Sequence, residues 1–362
     1  MTRAPEPGLV VKLRPTGPWR IGPDSGERHD VDSVYHSDSL YSAITGAMSI
    51  LGFLEDWLSA TARNPEGPAV RFSSLFPFQN EIGFVIPPRS VWPPPASTKV
   101  RWKNARFIPL GLVGRLFSGQ LLDEEGWAID GPSQCLVPAG RPGPFRSSSR
   151  AGAAVDRLGA GVEPHATACI EFHPGAGLWA VVAFAGQKEK ERWDERVRAA
   201  LRLLADSGLG GERSLGWGRS ETPEFIEGLL PEMILPEASS RPAPPAEPDQ
   251  QLEQGGPVEL SPAVAPSPSA FWLLSLFTPG ENDAVDWKRG NYCVVARCGR
   301  IESMARSGDL KKTVNMIAEG SVLLAGDGVR GAATDVAPDG FPHPVYRSGF
   351  ALAIPIPWQA VA

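Results

Sequence analysis

From Pro236 to Pro268 the chain is rich in Pro, Ala, Glu and Gln and has almost no aromatic residues. Such a stretch cannot bury enough apolar surface to offset the entropy of ordering it. It reads as a flexible linker, and it divides the 362 residues into two folding units. The expected organisation is an N-terminal unit over 1–235, a linker over 236–269 and a smaller C-terminal unit over 270–362. With 42% apolar residues, both units have material for a core, and a chain of this length is expected to hold two domains.

Charge is distributed unevenly along the chain. The net charge is −6, but Glu221–Glu259 holds nine acidic residues against one arginine, Arg241, which leaves +2 for the remainder. Lys99–Arg150 carries eight Lys/Arg against four Asp/Glu, and Asp286–Lys312 carries seven against three. This segregation permits nucleic-acid contact, although solvated faces around an acidic linker give the same counts. No run of about 18 apolar residues is present, so no membrane span is expected. Met1–Val11 is polar and interrupted by proline, unlike a secretory signal. Cys135, Cys169, Cys293 and Cys298 are scattered, with no Cys-x-x-Cys pair. Together these features point to a reducing cytoplasm and away from a zinc site or a disulfide framework.

Periodicity supplies the elements. Leu9–Leu13 predicts a strand, followed by a Pro/Gly-rich loop over Pro15–Gly26. A helix is expected from Ser37, with Ser37 or Asp38 as N-cap and Leu40, Ile44, Ala47, Leu51, Leu54 and Leu58 on one face. A second helix is predicted over Lys188–Ser207, with Trp193, Val197, Ala200, Leu201 and Leu204 as its stripe and Gly208 just beyond its end. Cys169–Phe172 and Leu178–Phe184, joined by His173–Gly177, read as a hairpin. Strand, helix, hairpin, helix predicts an α+β fold with a ferredoxin-like (RRM-like) βαββαβ sheet. In the C-terminal unit, strands are predicted at Phe271–Phe277, Tyr292–Arg297, Ser321–Leu324 and Phe350–Ile354, the last ended by Pro355-x-Pro357. They could form a second, degenerate sheet of the same kind.

Gly208 to Arg219 is the most informative segment, with five glycines in eleven residues between a helix and an expected strand. Such a loop could offer consecutive backbone N–H groups to a phosphate or ribose with no Cβ in the way. Gly210, Gly211, Glu212, Ser214, Gly216 and Gly218 would form the cradle. Arg213 and Arg219 would supply charge and Trp217 a stacking face. Position after a helix excludes a dinucleotide loop, and the absence of Gly-Lys-Ser/Thr excludes a P-loop. A purely structural turn has the same composition.

This loop resembles the glycine-rich signature of the repeat-associated mysterious proteins (RAMPs), the RNA-binding subunits of CRISPR effector complexes. Ile21-Gly22 followed by His36–Ile44 is similar to the start of the first helix in the RAMP subunit that caps the guide 5′ end in type III-A (Csm) complexes. Leu75–Phe78, Val155-Asp156-Arg157, Tyr292–Ser303, Glu319–Val322 and His343–Gly349 resemble the same subunit. The resemblance implies two ferredoxin-like domains and a non-catalytic RNA-binding role with no cofactor. The implied partners are the 5′ repeat-derived tag of the crRNA, the large polymerase/cyclase subunit, the adjacent backbone RAMP subunit and target RNA near its 3′ flank. It also implies a protruding thumb hairpin at about Arg141 to His165, which would carry Arg146, Arg150 and Arg157 with only Asp156 in opposition. A surface loop with incidental arginines is the alternative there. Tyr346 and Arg347 are expected as RNA contacts or as interdomain packing groups. Ile21, Gly22, Ser37 and Ser39 complete the expected RNA-binding set.

His36 carries the competing, enzymatic expectation. A histidine at a helix start could act as general acid or base on a ribose 2′-OH, as in related metal-independent RAMP endoribonucleases. That role needs a partner among His29, Tyr35 and Tyr41, and no arrangement stands out, so capping or RNA contact without chemistry is the expected role. The carboxylates Asp24, Asp30, Asp32 and Asp38 read as solvated. The equivalent subunit of a type III-B complex is a further alternative, and the His343–Arg347 ending favours III-A.

Overall fold

The structure is a computed structural model that describes residues 5–23, 26–94, 100–120, 122–155, 159, 161–236, 269–303 and 305–358. The linker from residue 237 to 268 lies outside the described residues. The N-terminal unit runs β1 (Glu6–Leu13), α1 (Ser37–Ile50), α2 (Leu54–Ala60), β2 (Val70–Phe72), β3 (Phe76–Gln79), β4 (Ile82–Val85), β5 (Ile108–Pro109) and α3 (Leu110–Phe117). It continues through β6 (Trp127–Asp130), β7 (Cys135–Pro138), β8 (Phe145–Val155), β9 (Val162–Phe172), β10 (Ala176–Phe184), α4 (Gln187–Ser207) and β11 (Glu224–Leu230). The C-terminal unit comprises β12 (Ser269–Leu273), β13 (Val294–Arg297), β14 (Val314–Ile317), β15 (Val322–Ala325), β16 (Ala333–Asp335), β17 (Tyr346–Ser348) and β18 (Ala353–Ile356).

The main sheet has seven strands in the order β11-β1-β10-β3-β4-β5, with β2 also paired to β10, and every pairing is antiparallel. β10 is its centre and is buried along its whole length. Helices α1 and α4 pack on each other, α1 against β2 and α4 against β1 and β10. The expected stripe of α4 is the buried one, and Trp193 meets Trp57 edge-on at 5.3 Å. Each such large apolar side chain contributes roughly 2–3 kcal/mol on burial. Gly208 ends the helix with φ +94°, where a Cβ would lie 2.4 Å from the Trp217 carbonyl oxygen.

Three expectations for the N-terminal unit need correction. The first helix does not continue to Leu58: the chain turns at Gly52 (φ +81°) and restarts as α2, because the apolar stripe runs across a break that periodicity cannot register. Neither Ser37 nor Asp38 caps α1. His36 occupies the cap position, and Ser74 Oγ accepts the Ser37 N–H at 2.8 Å from outside the helix. The Cys169–Phe184 segment is not a hairpin, because β9 pairs with β8 over eleven residue pairs while β10 pairs with β1, β2 and β3. The turn through Gly175 (φ +76°) carries the chain from one sheet into another.

In the C-terminal unit, β15-β12-β18 forms a three-stranded sheet flanked by the pairs β13–β14 and β16–β17, with no helix among the described residues. Pro355 lies inside β18 opposite Phe271 instead of ending the strand. β18 is an edge strand, where a missing N–H is tolerated. The predicted strand from Phe271 stops at Leu273, and the residues after it turn to the other unit: Ser74 N–H donates to the Leu274 carbonyl and Leu276 N–H to Ser37 Oγ. Trp272, Leu274, Phe350 and Leu352 share one core with Leu40, Tyr41 and Ile44, and Tyr41 meets Phe350 edge-on at 5.6 Å. The two units are therefore cemented by a common apolar core.

Candidate nucleic-acid interface

The glycine-rich loop is held against the chain that follows β1. Gly211 N–H donates to the Arg20 carbonyl at 2.8 Å and Gly218 N–H to the Pro18 carbonyl at 3.0 Å. Trp19 Nε1 in turn donates to the Arg219 carbonyl at 3.1 Å. Gly210 (φ +87°) and Gly218 (φ +78°) are required, because a Cβ there would lie 2.3 Å from the Arg20 oxygen and 2.0 Å from the Leu209 oxygen respectively. Gly211, Leu215, Gly216, Trp217 and Gly218 donate to backbone carbonyls of the loop, of Arg20 or of Pro18, so this part of the expected cradle is taken up internally. The exposed part is the tip, Arg213, Ser214 and Leu215, together with Arg219, while Glu212 and Trp217 are half-buried. Arg213 reaches the C-terminal unit, bonding Glu302 at 2.6 Å. Of the preceding loop, Ile21 is buried and Gly22 is exposed with open space around it.

β8 and β9 form a long two-stranded arm whose outer half is exposed, with Val155 and Val162 paired at its end. It covers the expected thumb region but begins at Phe145 and runs seven residues past His165. Arg146 and Arg150 project from it, and both bond Glu171 across the strand pair, at 3.0 and 2.5 Å. Opposition from Asp156 alone was the expectation. Glu171, on the neighbouring strand, is the pairing that linear reading could not see. Arg157 and Asp156 lie outside the described residues.

The remaining expected residues lie at the junction of the two units. His36 Nδ1 is 2.8 Å from Glu319 and its Nε2 is 3.4 Å from Asp32. Burial works against its charge, but Glu319 and Asp32 outweigh it and raise the pKa from 6.5 to about 9. Burial likewise opposes ionisation of Glu319, yet His36 and Ser74 Oγ hold its pKa below the usual carboxylate range. Two residues on from His36, Asp38 accepts from Arg297 at 3.0 and 3.2 Å and also pairs with Arg347. Despite burial, the two guanidinium groups lower its pKa to about 2. Ser39 Oγ accepts from Arg297 at 3.2 Å, and Ser37 Oγ accepts from Leu276. Arg347 also reaches the Cys298 carbonyl at 2.6 Å, and half-buried Tyr346 lies beneath Arg63, 5.9 Å from its guanidinium.

Asp32 and Asp38, expected to be solvated, are instead engaged: half-buried Asp32 with His36 and Arg106, and buried Asp38 with Arg297 and Arg347. Arg297 and Glu319 were not anticipated. Each ends an otherwise apolar run, Val294-Val295-Ala296-Arg297 and Met316-Ile317-Ala318-Glu319, and a single charge in such a run is the available sign of a buried pair.

Residues 267–356 match the family model of the CRISPR Csm4 C-terminal domain. A chain of the Csm3-Csm4 subcomplex in the type III-A CRISPR-Cas interference complex superposes with a TM-score of 0.61 at 16% identity, covering 96% of this chain and 99% of that one. By fold, the chain is Csm4-like. A chain of the Csm1-Csm4 cassette in complex with cA4 gives a TM-score of 0.54 at 17% identity, covering 98% of this chain and 99% of that one. No curated protein matches in sequence. The likeness in fold thus extends over both units. Among the described residues, no cluster of His, Cys, Asp and Glu could hold a metal ion, and no helix is long and apolar enough to cross a membrane.

Proposed function

We propose that the chain is a non-catalytic, RNA-binding subunit of a cytoplasmic type III-A CRISPR ribonucleoprotein. It binds the 5′ repeat-derived tag of the crRNA and anchors the large polymerase/cyclase subunit beside a backbone RAMP subunit. The observation that carries this reading is the Csm4 match over residues 267–356, continued by a fold likeness over nearly the whole chain. The similar chains come from assemblies with Csm1 and with Csm3, which supports these two kinds of partner.

The finer architecture is part of the proposal. The succession β1, α1, β2/β3, β10, α4, β11, with spatial order β11-β1-β10-β3, supports a ferredoxin-like N-terminal domain. The β8–β9 arm is the thumb, and its exposed Arg146 and Arg150 would meet RNA when phosphate competes with Glu171. At the glycine loop, Arg213, Ser214, Trp217 and Arg219 are the contact candidates. The junction residues His36, Ser37, Ser39 and Arg347 support RNA binding indirectly, by fixing the C-terminal unit against the loop. The endoribonuclease reading is disfavoured by His36 itself: half-buried and clamped between two carboxylates, its imidazolium has little freedom to exchange a proton with a ribose.

The test is electrophoretic binding of end-labelled guide RNA, with and without its tag, to the chain co-purified with its large partner in EDTA. Tag-dependent retention of intact RNA is expected. Cleavage that His36→Ala abolishes would overturn the non-catalytic reading.

A further inference from the structure

The turn Asp286–Tyr292 has no part in the junction, loop or arm, and it is rigidly mounted. Asp286 N–H donates to the Leu324 carbonyl at 2.9 Å, and Asn291 and Val322 exchange bonds of 2.9 and 2.8 Å, so β15 holds both ends. Between these anchors Gly290 N–H closes on the Asp286 carbonyl at 3.2 Å, and the Asp286 carboxylate accepts Lys288 N–H at 3.1 Å. The turn presents Trp287 and Tyr292, 37% and 38% exposed, with ring centroids 5.3 Å apart and planes at 77°. Val294, 52% exposed, opens β13 two residues on.

Cations neighbour these rings along the chain and through one backbone contact. Lys288 and Arg289 lie exposed between them in sequence, and exposed Arg89 is tied in through its carbonyl, which accepts from Asn291 Nδ2 at 3.1 Å. Asp286, 4.0 Å from Arg289, is a weak counter-charge. Lysine is depleted where proteins dock on one another, whereas aromatic faces bordered by cations suit unpaired nucleotides.

We propose that Trp287 and Tyr292 form a second contact surface for single-stranded RNA. A base stacks on the aromatic pair, and Lys288, Arg289 and Arg89 pair the flanking phosphates. This inference rests on the RNA-binding function proposed above and adds a site to it on the C-terminal unit.

The test uses the full chain with its large partner subunit and two probes, tagged guide RNA and a single-stranded oligouridine, read by fluorescence anisotropy across a salt series. Trp287→Ala and Tyr292→Ala are expected to weaken binding about tenfold, with most of it restored in Trp287→Phe. Lys288→Ala with Arg289→Ala should lower the slope of log K against log salt by about 1.4, the share of two phosphates on a single strand. Ultraviolet crosslinks to RNA should map to Trp287 or Tyr292. Unchanged affinity and slope in all these variants, with wild-type binding of guide intact, would overturn this site alone. Absence of any RNA binding by the wild type would overturn the proposed function with it. Protection of residues 286–296 from hydrogen exchange by the large subunit without RNA would replace the site by a protein-docking surface.

Discussion

Asparagine at position 38 should destabilise the protein by about 3–5 kcal/mol, the cost of breaking a buried ion pair from one side. The arithmetic starts from burial: Asp38 is 4% exposed, Arg297 7% and Arg347 6%. The carboxylate stands between two guanidinium groups, so Asp38→Asn leaves two buried cations facing each other without their shared anion. The folded-state pKa agrees in direction, since a fall from 3.8 to about 2 corresponds to roughly 2 kcal/mol favouring the ionised form. Asparagine keeps an oxygen for the Ser39 N–H, now 2.7 Å from Asp38 Oδ1, so the experiment removes charge more than shape. Urea unfolding followed by tryptophan fluorescence gives the difference directly. Because Asp38 is on α1 and both arginines belong to the C-terminal unit, the variant should also be cleaved more readily by protease at the junction. Replacing all three residues together with apolar ones of similar volume should recover much of the loss. A loss below about 1 kcal/mol, the value of a solvent-exposed pair, would refute the argument.

Three further outcomes follow from the same geometry. His36 has a folded-state pKa raised from 6.5 to about 9, so its contribution is complete below pH 6.5 and is lost as pH rises through 9. Stability measured across that window should fall in the wild type, and His36→Gln should flatten the fall. Asp38 and Glu319 have lowered values, so their contributions vanish instead on acidification below the ordinary carboxylate range. Gly218→Ala should cost roughly 2–3 kcal/mol through a 2.0 Å clash with the Leu209 oxygen at φ +78°. Gly22→Ala, with open space around it, should be close to neutral in the same urea unfolding assay. Arg213→Ala should leave stability almost unchanged, since its partner Glu302 is 76% exposed, while lowering the salt slope of RNA binding by about 0.7.

Local features were legible in the residues, and pairings were not. The α4 limits fall within one residue of expectation because an apolar stripe at helical spacing and Gly208 both mark them. The first helix misled because its stripe continues through Leu54 and Leu58 across the left-handed turn at Gly52. Apolar runs marked β9 and β10 as strands and the turn residues His173–Gly177 suggested a hairpin between them, but neither signal fixes which strands pair. At the junction, the charge on Asp38 is legible, but its partners lie 259 and 309 residues away. No local pattern distinguishes such an aspartate from a solvated one at a helix start. The glycine loop was legible as a turn. That the Gly211 and Gly218 N–H groups are taken up depends on Arg20 and Pro18, which only the folded chain brings alongside.

The central claim is tested most directly by incubating the chain and its large partner with end-labelled guide RNA in EDTA, with and without the repeat-derived tag. The account predicts retention that depends on the tag, with every RNA molecule intact. Equal retention of untagged RNA, or cutting at the repeat boundary, would contradict it.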